Sequence, residues 1–396
     1  MFERENNPSN VTSAEIVVGL ASYQEADSID YPTQQISLGL KKHYGDKTSV
    51  IINCDNHSPD GTEEVFLGTV TEVPKIYITT PPGILGKGYN FENIFRKMLE
   101  LDAEVLVCVD ADLMSITPEW VKYFIDPILN DYDFVNPIYS RHKYDGTITN
   151  NICYPLIYGL FCHNVRQPIG GDFSMSERFV KYLVSQQWHR TTKEYGIDIF
   201  MTMNAILGGF KICGTGLGTK RHKPSAPKLG AMFTQVVSTM FLTIISNYET
   251  WKEAIVIEQP ALFGLRHMEP PQELTIDRSA IEKQARDNFD QYKETLERVL
   301  SPCIYADLSH MFSSKGIEIN TDQWVTIIYD MVAAFKSASD RNNEIVESLK
   351  GLYFGRALTF MNKTWDWSNE QTELEILAQA EAFHNRRDYL VHKLEE

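Results

Sequence analysis

The sequence predicts an α/β fold, built on a mostly parallel sheet and followed by a helical C-terminal domain. Three observations carry this expectation. Short, wholly apolar runs alternate with segments of helical periodicity through the first half of the chain. The polar, turn-forming residues gather directly after those runs. Beyond about Asn247 strand-like runs stop and charged helical patterns take over.

Taken in order, Ile16–Ala21 reads as a buried strand, followed by an amphipathic segment near Pro32 to His43. Ser49–Asn53 is a second strand, and it runs into the polar, turn-rich stretch Cys54–Gly61. Lys75–Thr79 and Val105–Val109 are the third and fourth strands, with a helical pattern from Tyr89 to Leu101 between them. The tail holds helical patterns over Ser279–Leu300, Gln323–Ala338, Asn343–Phe360 and Glu370–Lys393, with no strand of comparable quality. These patterns divide the 396 residues into a domain over 1–247 and a mostly helical domain over 248–396. No internal repeat or low-complexity segment interrupts them.

Composition narrows the function. Apolar residues make up 43% and charged residues 23%, which is the make-up of an ordinary globular protein. With 37 basic against 53 acidic residues the net charge is −16. Such a surface argues against nucleic acid and against an anionic membrane as partners. Residues 1–250 carry 21 basic and 28 acidic side chains, and 251–396 carry 16 and 25, so the shorter tail holds more than half of the excess. The six cysteines form no C-x-x-C pair and read as buried free thiols in a reducing compartment. The longest apolar stretch, Met232–Ser246, is too short to span a bilayer, and the opening residues lack the apolar core of a signal peptide. A cytoplasmic protein is therefore expected.

In parallel sheets ligands sit at the carboxyl ends of the strands, and the suspicious residues lie there. Asp110-Ala-Asp112 closes the fourth strand, so both carboxylates can turn to one ligand; oxygen donors suit Mg²⁺ or Mn²⁺. The same pattern also occurs in solvated loops. Gly86-Lys87-Gly88 opens the preceding helix and offers backbone N–H groups and a lysine to an anion, although it lacks the spacing of a P-loop. Gly170-Gly171-Asp172 marks either a tight turn or a backbone lying close to a ligand. In Tyr195-Gly-Ile-Asp198 the aspartate falls in the first turn of a helix, where it either favours the dipole or meets a sugar hydroxyl. Lys220-Arg221-His222-Lys223 is a dense basic cluster in an acidic chain, able to meet a diphosphate or complete a metal site, or else a solvated loop.

The order of these motifs resembles that of retaining GT-A glycosyltransferases, in particular the glucosyl-3-phosphoglycerate synthases and mannosylglycerate synthases. Gln167-Pro-Ile-Gly-Gly-Asp172 resembles their Gln-Pro-Leu-Gly-Gly-Glu. His222 followed by Leu229-Gly-Ala-Met232 and Gln235-Val236 resembles the first group. Tyr195-Gly-Ile-Asp198 and the helical tail with Leu352-Tyr-Phe-Gly-Arg356 resemble the second. The resemblance implies a Rossmann-like GT-A catalytic domain that moves glucose or mannose, with retention, from a UDP- or GDP-linked sugar. The acceptor it implies is the 2-hydroxyl of glycerate or 3-phosphoglycerate.

It also implies roles for single residues. Asp112 and His222 would ligate Mg²⁺ or Mn²⁺, with Asp110 on the metal or the ribose. Glu25, Asp55 and Asn56 would hold the nucleoside, and Lys87 would meet the nucleotide. Gly170 and Gly171 would lie beneath the donor sugar, with Asp198 near its hydroxyls or the acceptor hydroxyl and Tyr195 on the substrate. Arg141 and Thr149 would grip the acceptor carboxylate. A homodimer is the expected assembly. The chain departs from the pattern where Asp145-Gly-Thr-Ile-Thr149 replaces Gly-Gly-Arg-x-Thr, where Lys223 and Ser225 stand in place of a tyrosine, and where Asp172 replaces a glutamate. Two rival readings are a sugar-nucleotide pyrophosphorylase, for which the segment Leu20–Glu25 lacks a glycine- and arginine-bearing loop, and a non-catalytic sugar-nucleotide-binding module.

Overall fold

The computed structural model describes residues 2–223, 229–266, 269–271, 273–314, 316–338 and 341–396. The chain divides into two compact units. One comprises Met1–Ser140, Gln167–Leu229 and Pro260–Pro271, and the other Arg141–Arg166, Gly230–Gln259 and Gln272–Glu396. This division is interleaved: 141–166 and 230–247 group with the helical unit, and 260–271 returns to the sheet, so no single boundary at 247 separates them.

The first unit is an α/β layer structure around nine strands. These are β1 (Arg4–Asn6), β2 (Ile16–Ser22), β3 (Ser49–Asp55), β4 (Lys75–Thr79), β5 (Val105–Asp110), β6 (Phe134–Ser140), β7 (Phe173–Ser176), β8 (Ile212–Thr219) and β9 (Ala261–Gly264). Their order in the sheet is β1-β4-β3-β2-β5-β7-β6-β8-β9. Only β1 and β7 run against the others. The four strands expected from the sequence are present and form the parallel centre. β9 corrects the expectation that no strand follows Asn247: it is four residues long, with Pro260 before it and Gly264 at its end, too short to register as a strand by pattern.

Alternation along the central strands separates two cores. Leu106 and Cys108 of β5 face a cluster with Phe91, Ile94, Phe95 and Met201, while Val105, Val107 and Val109 face one with Ile36, Leu40, Trp120 and Phe124. Both faces of the sheet are therefore covered, which is why the strands read as continuous apolar runs.

The helical unit is held by clusters such as Tyr154, Tyr158, Phe360, Met361, Ile376 and Ala380. Two of the expected tail helices are interrupted, at Tyr292 and at Arg386. The apolar stretch is a helix over Leu229–Ser246, longer than expected; by length and composition it is long and apolar enough to cross a bilayer. Half of it is nevertheless buried within the protein, with Phe233 on Tyr353 and Phe241 on Phe335. All six thiols are free, five buried and Cys303 exposed.

The start of helix Lys87–Glu100 is fixed largely by backbone. Its orphan N–H groups at Gly88 and Tyr89 donate to the carbonyls of Glu194 and Lys193 at 3.0 and 2.8 Å. A Cβ on Gly88 would lie 2.1 Å from the Thr192 carbonyl oxygen and 2.6 Å from Lys193 Cα. Backbone cannot yield as a side chain can. Gly88→Ala is therefore expected to destabilise the protein by about 1–3 kcal/mol, read as a lowered urea midpoint at unchanged m-value.

Candidate active site

Strand topology decides which carboxylates meet. β7 runs against β5, so the residues that precede β7 lie beside the residues that end β5. This brings Asp172 to Asp110, and the Asp110 N–H donates to Asp172 Oδ1 at 2.8 Å. A third carboxylate, Asp198, comes from the first turn of helix Ile197–Leu207, as the sequence indicated.

Two lysines hold these three aspartates together. Lys87 Nζ lies 2.8 Å from Asp110 Oδ1 and 3.3 Å from Asp198 Oδ1, and donates to the Gly171 carbonyl at 3.2 Å. Lys220 Nζ lies 2.7 Å from Asp110 Oδ2 and 2.8 Å from Asp172 Oδ2, and donates to the Gly170 carbonyl at 2.9 Å. The Tyr139 hydroxyl completes the shell of Asp172, whose side chain is fully buried.

The glycines make room for this packing. Gly171 has φ +92, and a Cβ there would come within 2.4 Å of Asp110 Oδ2 and 2.7 Å of Lys220 Nζ. A Cβ on Gly170 would strike Pro137 of β6 at 2.2 Å. Both glycines bring the backbone close to neighbouring side chains, where the sequence suggested a ligand.

Electrostatics follow from burial among opposite charges. Burial alone would push the Asp110 carboxyl up, but Lys220 and Lys87 outweigh it and hold the group well below the usual carboxylate range. Burial would likewise pull Lys87 down, and Asp110 with Asp198 hold it above its ordinary value. Asp198 is pushed up, because its burial and the Asp110 charge exceed what Lys87 returns. Asp112 is pushed up by burial and by the charges of Asp110 and Glu25, with His222 acting against them.

The remaining expected residues fall into three groups. Glu25 is buried three residues past the end of β2 and pairs with Lys223 at 2.7 Å, which also reaches Asp27 at 2.6 Å. The Lys223 N–H donates to Asp112 Oδ2 at 3.3 Å, and His222 Nδ1 lies 2.7 Å from the Lys223 carbonyl. Pro224 and Ser225 lie outside the described residues.

Asp55 and Asn56 are used inside the protein. Asp55 accepts from the hydroxyls of Ser22, Ser58 and Tyr77 and from the Ser58 N–H. Asn56 accepts from the Gly86 N–H at 3.0 Å and donates to Asn90 at 2.8 Å. These two residues fasten the loop and the Gly86-Lys87 turn instead of facing outward.

Tyr195 is half-buried in the turn three positions ahead of Asp198. Arg141 and Thr149 belong to the helical unit, where they flank Gly146. Arg141 Nη1 and Thr149 Oγ1 lie 3.2 and 3.6 Å from the point a Gly146 Cβ would occupy. Sequence reasoning overlooked Tyr139 and the buried use of Asp172, for which only contact across strands gives a signal.

The expected metal trio is not gathered. Both oxygens of Asp110 are engaged by lysines, and among the described residues no three His, Cys, Asp or Glu side chains stand together as a metal-holding group.

A family model described as the mannosylglycerate synthase GT domain matches residues 38–237. The chain belongs to this family. The matched span contains Lys87, Asp110, Asp112, Asp172, Asp198, Lys220 and His222, whereas Glu25 lies ahead of it. The mannosylglycerate synthase of Rhodothermus marinus is 26% identical over 132 residues, 32% of this chain and 33% of the relative, so the match spans about a third of that relative's length. Solved structures of glucosyl-3-phosphoglycerate synthase from Mycobacterium tuberculosis are also similar. One, with Mg²⁺ and UDP, is 24% identical over 58% of this chain and 79% of that one, with a TM-score of 0.48. Another, with Mn²⁺, UDP-glucose and phosphoglyceric acid, is 23% identical over 58% and 79%, also with a TM-score of 0.48.

Removing Lys220 would leave Asp172 buried without its cation. Lys220→Met is expected to cost about 3–5 kcal/mol in urea unfolding, the range for breaking a buried pair from one side. The sign of the pH dependence follows from Asp110, whose carboxyl is lowered in the fold. Its contribution is complete above the ordinary carboxylate range near pH ~4 and is lost as the pH falls. The stability gap between wild type and variant should therefore narrow on acidification.

Proposed function

We propose that this protein is a retaining hexosyltransferase that moves glucose or mannose from a UDP- or GDP-linked sugar to the 2-hydroxyl of a small three-carbon acid. The observation that carries the reading is the convergence of Lys87 and Lys220 on Asp110, Asp172 and Asp198 at the carboxyl ends of the strands, inside the span that matches the glycosyltransferase domain.

The residues have distinct tasks. Lys87 and Lys220 are spent on the carboxylates and so limit the net negative charge that a departing diphosphate meets. Asp198, held by Lys87, orients a hydroxyl of the donor sugar or the acceptor. A divalent cation, Mg²⁺ or Mn²⁺, would be held by Asp112 and His222, whose carboxylate and imidazole are donors such ions accept. When bound, such an ion supplies Lewis acidity toward the diphosphate. Glu25 and the loop fastened by Asp55 and Asn56 border the nucleoside.

Front-face attack accounts best for retention. Asp110 and Asp172 have their oxygens engaged by lysines, and neither is offered as a nucleophile. The acceptor oxygen forms a bond to the anomeric carbon as the sugar–diphosphate bond breaks, and the acceptor proton passes to the departing diphosphate oxygen.

In the helical unit, Arg141 and Thr149 around Gly146 suit one carboxylate. Thr147, standing where an arginine is expected, turns its hydroxyl to Tyr353, and Asp145 adds a negative charge nearby. These features favour glycerate over a phosphorylated acid.

The test supplies UDP- and GDP-linked glucose and mannose with glycerate or 3-phosphoglycerate, in Mn²⁺ or Mg²⁺ and in EDTA. The expected result is an α-linked hexosylglycerate that is lost in EDTA. Release of a sugar 1-phosphate from pyrophosphate and the nucleotide sugar would instead support the pyrophosphorylase, and binding without turnover a non-catalytic module. Asp198→Asn is expected to lower kcat by about 10²–10³-fold with intact fold. Turnover near wild type would remove Asp198 from the site.

A further inference from the structure

The most deeply buried guanidinium in the helical unit is held by neutral partners, one of them a side-chain amide. Arg356, 3% exposed, donates to neutral acceptors: Nη1 to the Ile319 carbonyl at 2.8 Å, Nη2 to Thr321 Oγ1 at 3.1 Å, and Nε and Nη2 to Gln379 Oε1 at 3.0 and 2.8 Å. Burial pulls its pKa down to about 10, with Glu375 acting against it. A buried charge held only by neutral dipoles is costly, and an apolar side chain of similar length would pack in its place. Its presence asks for a reason beyond packing.

The reason lies in what a guanidinium does to an amide. Arginine donates only, so it fixes Oε1 of the buried Gln379 toward itself and excludes the flipped orientation. The Gln379 Nε2 group is then committed to the opposite side, where it donates to the Asn150 carbonyl at 2.8 Å. Asn150 belongs to a π-helical turn, Thr149–Cys153, a conformation that occurs mostly as single turns and depends on outside contacts. Two further donors reach the same turn: Trp324 Nε1 to the Asn151 carbonyl at 2.7 Å and Arg166 Nη2 to Asn150 Oδ1 at 2.9 Å. The turn begins at Thr149, across Gly146 from Arg141.

We propose that Arg356 is a positioning residue for the acceptor acid: through the oriented Gln379 amide it holds the π-turn that presents Thr149 beside Arg141. The role rests on the functional reading above, which assigns Thr149 to the acceptor carboxylate. No group in the Arg356–Gln379–Asn150 chain touches substrate.

Gln379→Glu separates positioning from packing. It gives the guanidinium a counter-ion, so the helical unit keeps its fold, but it removes the donor to the Asn150 carbonyl. Arg356→Met is the companion variant, and near-UV circular dichroism reports whether each folds. Amide exchange over 147–153 is expected to rise about tenfold or more in Gln379→Glu, with the sheet unit unchanged. The KM for glycerate is expected to rise about tenfold while the donor KM stays within about twofold. Unchanged exchange over 147–153 in a folded Gln379→Glu would overturn the proposal, as would faster exchange with an unmoved glycerate KM. If wild type transfers hexose to neither acid, the functional reading fails, and the exchange result alone decides whether Arg356 holds the turn.

Discussion

Three carboxylates can share a buried site only if cations enter with them, and much of the first unit serves that condition. Asp110 and Asp172 belong to adjacent strands whose ends would repel, and the Lys220 ammonium between them at 2.7 and 2.8 Å turns that repulsion into a tie. Lys87 does the same for Asp110 and Asp198, linking the end of β5 to the helix that begins at Ile197. The five groups carry a net charge of −1, so the cluster is nearly neutral inside.

Backbone geometry permits this arrangement. The cluster needs a chain without side chains at Gly170 and Gly171, because Pro137, Asp110 and Lys220 occupy the space a Cβ would take. It also needs Lys87 delivered at the right height, and the close approach of Gly88 to Thr192 and Lys193 sets that height. All three glycines serve one ion cluster. Their spacing along the sequence hides a common purpose.

Much of this was legible from the sequence, and the missing part has a physical cause. Strands β2 to β5 are almost wholly buried and continuous, so each announced itself, and polar residues stand at their ends. β6 and β7 did not: β6 carries Asn136 and Pro137 within it, and β7 is four residues of mixed polarity. Without them the antiparallel return is invisible, and with it the encounter of Asp172 and Asp110. The basic cluster around Lys220 was evident, but its burial was not, since only the sheet order brings β8 near β7 through β6. Asp55 illustrates the converse. The family resemblance implies a nucleoside contact for this aspartate, and in the fold its oxygens are used by Ser22, Ser58 and Tyr77.

Lys87 and Lys220 on one hand and Arg356 on the other are buried cations held in different ways. In the sheet unit Lys87 and Lys220 are matched by carboxylates, which gives strong attraction and a fixed charge pattern. In the helical unit Arg356 is matched by carbonyl, hydroxyl and amide oxygens, which gives direction with little field. A carboxylate at position 379 would bind the guanidinium more tightly and yet could not donate to Asn150. An amide does both, accepting on one side and donating on the other, so the weaker electrostatic partner is the one that transmits orientation.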